Sequence, residues 1–346
     1  MKLQDFSYIL PDELIAQHPR PQRDASRMMM LHRKEEKIED SLFSSLPEYL
    51  QQGDVLVIND SRVIPARIYG KKSTGAILEI LLLTCKEKKD DSELWEVLAR
   101  PGKRLNENDA IDLGHSCEAK VVARLSDKKW LMAFNAQDGF ENYRERFGRA
   151  PLPPYIKRKK SLAPDQTDDR QRYQTIYAKN AGSIAAPTAG LHFSSDTLNA
   201  IQSKGVQIAP ITLHVGMGTF LPIETEMVEN HVMPTEFFEI SSEAAEKINS
   251  AKRVVAVGTT STRTLESVAD KNGYIAPQSG ETCLYIYPGY SFKRVNGLLT
   301  NFHLPQSSLF LLAAAFAGTD FIKEAYARAV GSRYLFYSYG DCMLIL

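Results

Sequence analysis

Val254-Val255-Ala256-Val257-Gly258-Thr259-Thr260-Ser261-Thr262-Arg263-Thr264-Leu265-Glu266 is a β-branched apolar run that meets a glycine and turns into a string of hydroxyl residues. The apolar run reads as a buried strand over 253–257, Gly258 as a sharp turn, and 261–269 as a helix. A strand feeding directly into a helix is the repeating piece of an α/β protein. The start of such a helix has free N–H groups and a partial positive charge, a seat for a carboxylate or phosphate. Thr259 and Thr260 stand at that seat. Arg263, one turn in, could clamp a carboxylate with two parallel hydrogen bonds. The same letters also describe a well-capped helix with Arg263 in solvent.

The alternation continues on both sides. Strands are expected at 183–186, 206–215, 283–287, 298–302, 334–339 and 343–346, and helices at 195–203, 242–251, 307–317 and 320–330. Near the amino end, a strand-like run at 27–31, a short helix at 43–50 and a buried strand at 54–60 have the same character. Between them the pattern changes. Runs at 76–83, 95–100, 110–113, 117–125 and 129–135 are short, β-like and separated by Gly, Asn, Asp and Lys turns, as in a small antiparallel barrel or sandwich. This block ends at the stiff joint Pro151-Leu152-Pro153-Pro154. The expected organisation is a large mixed α/β domain formed by 1–62 and 151–346, with an inserted β domain over 63–150.

Composition narrows the function classes. Lys+Arg and Asp+Glu both number 42 among 346 residues, so nucleic acid could be held only by a local patch. The amino terminus has no apolar segment of a signal peptide. The most apolar stretch, 309–317, is shorter than the ~20 residues of a membrane span. Cys85, Cys117, Cys283 and Cys342 are scattered and read as reduced thiols in a cytoplasmic protein with no membrane association.

Three histidines each follow an apolar run and precede turn-forming residues. His192 lies in Ala185-Ala186-Pro187-Thr188-Ala189-Gly190-Leu191-His192-Phe193, His214 in Thr212-Leu213-His214-Val215-Gly216-Met217-Gly218-Thr219-Phe220, and His303 in Thr300-Asn301-Phe302-His303-Leu304-Pro305. Strand ends are where α/β proteins collect ligands, so the three imidazoles are expected to converge on one crevice. Their spacing fits no metal-binding pattern, and no metal is expected. Gly216-x-Gly218 lacks a third glycine, and Pro222 stands where a helix would open, which argues against a dinucleotide site. Asp341 ends an apolar run on a glycine turn and is a candidate acid, base or hydroxyl ligand. Tyr285, Tyr287, Tyr290 and Phe292 surround Pro288-Gly289 and could stack on a base or fill a core. The run Lys157-Arg158-Lys159-Lys160 could hold phosphates or be a solvated loop.

Together these stretches resemble the S-adenosylmethionine:tRNA ribosyltransferase-isomerase family of queuosine biosynthesis. Further matching pieces are Val57-Ile58-Asn59-Asp60-Ser61-Arg62-Val63-Ile64-Pro65-Ala66-Arg67, Pro151-Leu152-Pro153-Pro154-Tyr155-Ile156, Tyr173-Gln174-Thr175-Ile176-Tyr177 and Tyr287-Pro288-Gly289-Tyr290. Two positions depart from the family pattern: Pro234, where Met-His-x-Glu is expected, and Asn296, where an Asp is expected before Gly297.

The resemblance implies an α/β domain carrying an inserted six-stranded antiparallel β-barrel. It also implies an enzyme that moves the ribosyl part of S-adenosylmethionine onto 7-aminomethyl-7-deazaguanine at the wobble position of a tRNA. The ribose rearranges to an epoxycyclopentanediol, and adenine and methionine leave. S-adenosylmethionine is then a consumed substrate, with no further cofactor, no obligate protein partner, and a monomer as the expected state. His192, His214, His303 and Asp341 become the proton-transfer candidates. Thr259, Thr260, Arg263 and Glu266 would bind substrate, with Tyr287 or Tyr290 stacking on a base. Arg20, Arg23, Arg27, Arg62, Lys157, Arg158, Lys159 and Lys160 would contact the RNA of the anticodon loop. Two other classes remain: a non-catalytic tRNA-binding module, and a conventional S-adenosylmethionine-dependent RNA methyltransferase.

Overall fold

The computed structural model describes residues 1–89, 92–102, 105–158, 168–216 and 222–346. The chain forms two compact units. One comprises Met1–Arg62, Pro154–Ile156 and Gln174–Leu346, the other Val63–Pro153 and Lys157–Tyr173. The sequence boundary at 150 differs from this partition at 151–153, 157–158 and 168–173, which belong to the second unit.

The first unit is built on a nine-stranded sheet. Its spatial order is Gln278–Thr282, Glu236–Ile240, Gln207–Leu213, Asp54–Asn59, Arg253–Val257, Gly297–Asn301, Cys342–Ile345, Arg27–His32 and Lys37–Leu42. The four strands from Gln207–Leu213 to Gly297–Asn301 are mutually parallel, so their carboxyl ends share one edge. Cys342–Ile345 runs antiparallel to Gly297–Asn301 and parallel to Arg27–His32.

The central strands are apolar without alternation because both faces are covered. Asp54–Asn59 is buried at every position. Val55, Val57, Val254 and Ala256 face one core with Ile248, Leu265 and Phe310. Leu56, Ile58, Val255 and Val257 face a second core with Phe43, Phe193 and Ile201. Helices Ser195–Ser203, Ser242–Ser250 and Ser308–Ala317 are each entered through a serine. Ser194, Ser241 and Ser307 accept from the amides of Thr197, Ala244 and Phe310, satisfying donors that a helix start leaves open.

Four expectations are corrected here. The helix after Arg253–Val257 opens at Gly258, not 261, because Gly258 adopts φ +86° and turns the chain within one residue. Residues 283–287 are not a strand. The ladder uses Gln278–Thr282, while the Leu284 amide and carbonyl are taken by Thr282 Oγ1 and Arg263 Nε. Residues 334–339 are also irregular. Tyr337 has φ +71°, and the segment wraps the Asp341 carboxylate. The strand expected at 183–186 lies earlier, at Asn180–Ser183. The polar edge strand Lys37–Leu42 and the short inner strand Glu236–Ile240, whose buried face starts with a glutamate, were not read from the sequence.

The second unit holds a closed antiparallel barrel of Lys129–Ala136, Ser92–Arg100, Ile77–Lys88, Arg67–Lys72, Ala110–Gly114 and Cys117–Arg124. Inward side chains alternate with outward ones along Ser92–Arg100 and Lys129–Ala136, as a small filled barrel requires. Gly70 is demanded by this packing: a Cβ there would lie 2.6 Å from both Ile111 Cγ2 and Leu113 Cδ2. The helix Phe140–Phe147 packs on the barrel, with Tyr143 donating from its hydroxyl to the Leu113 carbonyl.

Candidate active site

A cleft opens at the carboxyl ends of the parallel strands, where the chain leaves the sheet at Val215, Gly258 and Asn301. Residues 186–189, 258–260 and 300–304 line it, with Tyr155, Ser307, Tyr337 and Ser338. No Lys, Arg, Asp or Glu is among these lining residues. The free end of the Gly258–Val268 helix points into the cleft. Ser261, Thr262 and Thr264 return their hydroxyls to carbonyls four residues back, so those groups are occupied by the helix itself. Thr260 Oγ1 differs: it is buried and has no hydrogen-bond partner.

Asn301 ends the Gly297–Asn301 strand. Its Nδ2 donates to the Tyr337 carbonyl at 2.9 Å, which fixes the amide orientation and turns Oδ1 toward His192. His303 lines the cleft, its Nε2 2.8 Å from Thr300 Oγ1. Burial lowers its pKa to about 3, so the ring is neutral at physiological pH. His192 sits in the Thr188–His192 turn, with Nδ1 2.9 Å from Ser26 Oγ and the ring against Phe43. Desolvation lowers its pKa to about 4, against weaker opposing effects of Asp341 and of the nearby Asn301 amide. The His192 side chain also hydrogen-bonds the Asn301 amide.

The three histidines do not converge. Val215 faces the cleft, and its neighbour His214 faces away, as successive residues of extended chain do. His214 Nδ1 is 2.9 Å from Ser61 Oγ, which also bonds Ser183 Oγ, and the ring stacks on Phe237. Gly182 is needed there, since a Cβ would fall 2.6 Å from His214 Nε2. Asp341 is fully buried and already occupied. Oδ1 accepts from Arg20 Nη2 and the Arg27 amide, and Oδ2 from the Leu335 amide, which makes it an anchor rather than a free acid or base.

Other assignments shift in the same way. Glu266 accepts from the amides of Lys293, Arg294 and Val295 and from the Tyr290 hydroxyl, so it holds the 290–295 loop rather than a ligand. Tyr290 is thereby tied to the scaffold, and Tyr287 packs on Tyr285. Arg263 is buried against Glu236, Nη1 to Oε2 at 2.6 Å, and is not a free clamp. Thr259 and Thr260 do line the cleft. Among the RNA candidates, Arg20 pairs with Asp341 and Arg23 donates to the Leu191 carbonyl. Arg27 donates to the Ser332 carbonyl and lies over Tyr334. Arg158 forms a bidentate pair with Asp169 in the second unit. Arg62 and Lys157 are exposed, and Lys159 and Lys160 lie outside the described residues. Among the described residues there is no cluster of three metal-ligating side chains, and no helix is long and apolar enough to cross a membrane.

Sequence reasoning assigned no role to Asn301 or Glu236. Asn301 was legible as a polar residue ending an apolar run. Glu236 was legible as a lone acid beside Pro234, though its partner lies 27 positions away.

A family model described as "Queuosine biosynthesis protein" matches residues 3–345. The S-adenosylmethionine:tRNA ribosyltransferase-isomerase of Syntrophus aciditrophicus is 54% identical over 365 residues, covering 100% of both chains. The protein of the same name from Desulfitobacterium hafniense is 50% identical over 352 residues, again covering 100% of both. The chain belongs to the S-adenosylmethionine:tRNA ribosyltransferase-isomerase family. The S-adenosylmethionine tRNA ribosyltransferase crystal structure from Thermotoga maritima aligns with a TM-score of 0.54 at 38% identity, covering 99% of this chain and 100% of that one.

Within this ribosyltransferase-isomerase, the two departures from the family pattern have local explanations. Asn296 Oδ1 accepts from the Val254 amide at 2.8 Å, a task an amide oxygen performs as a carboxylate would. Pro234 is exposed, whereas the Glu236 that follows it is buried and also accepts from the Gly216 amide.

Proposed function

We propose that the chain transfers and isomerises the ribosyl moiety of S-adenosylmethionine onto 7-aminomethyl-7-deazaguanine in the anticodon loop of a tRNA. Epoxyqueuosine forms in the tRNA, and adenine and methionine are released. Family membership supports the reaction class. The observation that carries the site is the uncharged cleft at the strand ends, into which Thr260 presents a buried hydroxyl with no hydrogen-bond partner. S-adenosylmethionine is consumed here as a substrate.

The positive sulfonium acidifies the adjacent ribose C–H. A base must remove that proton, adenine must leave with a proton, and the aminomethyl nitrogen must attack as a free amine. His303, held neutral by burial and lining the cleft, is the group we assign to proton transfer at the ribose. His192, behind Asn301, positions that side chain. The target base lies in an anticodon loop, where unpaired bases can be splayed out and read in a pocket. Exposed Arg62 and Lys157 are the phosphate contacts we propose from the described residues. A cytoplasmic monomer without further cofactor completes the reading.

Chromatography of a reaction with S-adenosylmethionine and precursor-bearing tRNA tests it. Adenine and methionine in equal amounts are expected. S-adenosylhomocysteine with methylated RNA would instead indicate a methyltransferase, and tRNA retention without adenine release a binding module.

A further inference from the structure

We propose that the mouth of the Gly258–Val268 helix, with the Thr260 hydroxyl and the first-turn amides, binds the carboxylate on the methionine part of S-adenosylmethionine. The inference rests on the reading of S-adenosylmethionine as substrate and adds where its anionic group sits. Two independent observations meet at this mouth. The helix is entered at Val257 without a side-chain cap, unlike the three helices entered through serines. The amides of Thr259 and Thr260 belong to the first turn, whose donors a helix start leaves open. Thr260 is 6% exposed, yet its Oγ1 is buried with no hydrogen-bond partner. Buried polar atoms are almost always satisfied, so this hydroxyl points to a ligand that completes it.

Local geometry sets the hydroxyl at the mouth. Gly258 turns the chain with φ +86°, and a Cβ there would lie 3.5 Å from Thr260 Oγ1 and 3.6 Å from Ala189 Cβ. Oγ1 therefore stands beside the turn, and Gly258, Thr260 and Ala189 all line the cleft. Ser261, Thr262 and Thr264 differ, because their hydroxyls already bond carbonyls of their own helix and strand.

The groups at the mouth select an anion. Amides can only donate, aligned peptide dipoles add a partial positive charge, and Thr260 Oγ1 can donate as well. No Asp or Glu lines the cleft to repel a carboxylate, and no Lys or Arg lines it to draw the carboxylate elsewhere. Arg263 lies one turn deeper, three positions on from Thr260 and on the same face. Its Nη1 donates to Glu236 and its Nε to the Leu284 carbonyl, while Nη2 is buried and unpaired. Glu236 accepts at both oxygens, so what this ion pair leaves unmet is a donor. The carboxylate is the anionic group of S-adenosylmethionine. Its sulfonium and ammonium are cations, and its ribose and adenine are neutral. The Arg253–Val257 and Gly297–Asn301 strands are parallel neighbours, so residues 300–304 begin beside the mouth and leave the ribose to the His303 side of the cleft.

Calorimetric binding of S-adenosylhomocysteine, with precursor-bearing tRNA present, tests the assignment, because this sulfide cannot react. It is compared with its decarboxylated analogue S-adenosyl-3-thiopropylamine, which keeps the ammonium, on the wild type, Thr260→Val and Thr260→Ser. On the wild type, loss of the carboxylate is expected to weaken binding about thirtyfold or more, since several charge-assisted hydrogen bonds go with it. On Thr260→Val the same loss is expected to cost at least about fivefold less, and Thr260→Ser, which keeps a hydroxyl, is expected to restore the wild-type ratio. Thr260→Val removes no hydrogen bond present in the protein, so the fold is expected to survive it. Equal losses on wild type and Thr260→Val, or no loss on the wild type, would overturn the carboxylate assignment while the substrate reading stands. Weaker tRNA binding by Thr260→Val, with the ratio of the two sulfides unchanged, would also overturn it and give the mouth to an RNA phosphate. Failure of the wild type to bind either S-adenosylhomocysteine or S-adenosylmethionine would overturn both readings.

Discussion

Two regions of the α/β unit bury polar groups, and they differ in what those groups have found. At Glu266 and Asp341 both carboxylate oxygens are engaged, by backbone amides together with Tyr290 in one case and Arg20 in the other. At the cleft, Thr260 Oγ1 has nothing. A satisfied buried charge holds the scaffold. An unsatisfied buried polar atom waits for a ligand. Sequence motifs include both kinds without distinguishing them, and geometry separates them.

The sharpest way to break this contrast is Glu266→Ala. Three amides lose a charged acceptor, and each such bond contributes about 1.5–3 kcal/mol, so a destabilisation of about 3 kcal/mol or more is expected in urea unfolding. A loss below about 1 kcal/mol would mean that the 290–295 loop finds other partners. Glu236→Gln comes next. It leaves the Arg263 cation buried without its counter-charge, with an expected cost of about 3 kcal/mol in the same assay.

Thr260→Val should behave in the opposite way. Removing an unpaired buried hydroxyl should change stability by less than about 0.5 kcal/mol, or raise it, while adenine release falls about tenfold. A clear loss of stability with unchanged turnover would place Thr260 with the scaffold.

The smallest effect near neutral pH concerns His303 and His192. Their folded pKa values, about 3 and about 4, lie below the ordinary histidine value, so the unfolded chain takes up protons first as pH falls. The associated stability is fully present above about pH 6.5 and is lost as pH falls toward 4. Thermal melts should show this slope, and His303→Gln should flatten it. An identical slope in the variant would refute the assignment.

How much was legible follows from the same physics. The apolar runs Val55–Ile58 and Val254–Val257 announced central strands because both faces of the sheet are covered. Short β-like runs announced an antiparallel barrel or sandwich, and the choice of a six-stranded barrel came with the family resemblance. The strand Glu236–Ile240 was not legible, since a glutamate starts its buried face and Phe237 stands on its exposed one. His303 follows the end of the Gly297–Asn301 strand and His192 closes the Thr188–His192 turn, whereas whether His214 faces the cleft depends on a one-residue parity that motif spacing does not carry. Asp341 was read as reactive because its partners Arg20 and Arg27 lie more than 300 positions away. Asn301 was passed over because its contacts with Tyr337 and His192 exist only in the fold.

The most direct measurement follows two labels through the wild-type reaction. S-adenosylmethionine carrying isotope in its ribose is supplied in one sample and in its methyl group in another, with precursor-bearing tRNA in both. The account predicts that ribose label enters the tRNA in step with adenine release, while methyl label stays with methionine. Methyl label in the tRNA, with the ribose label still attached to adenine, would contradict it.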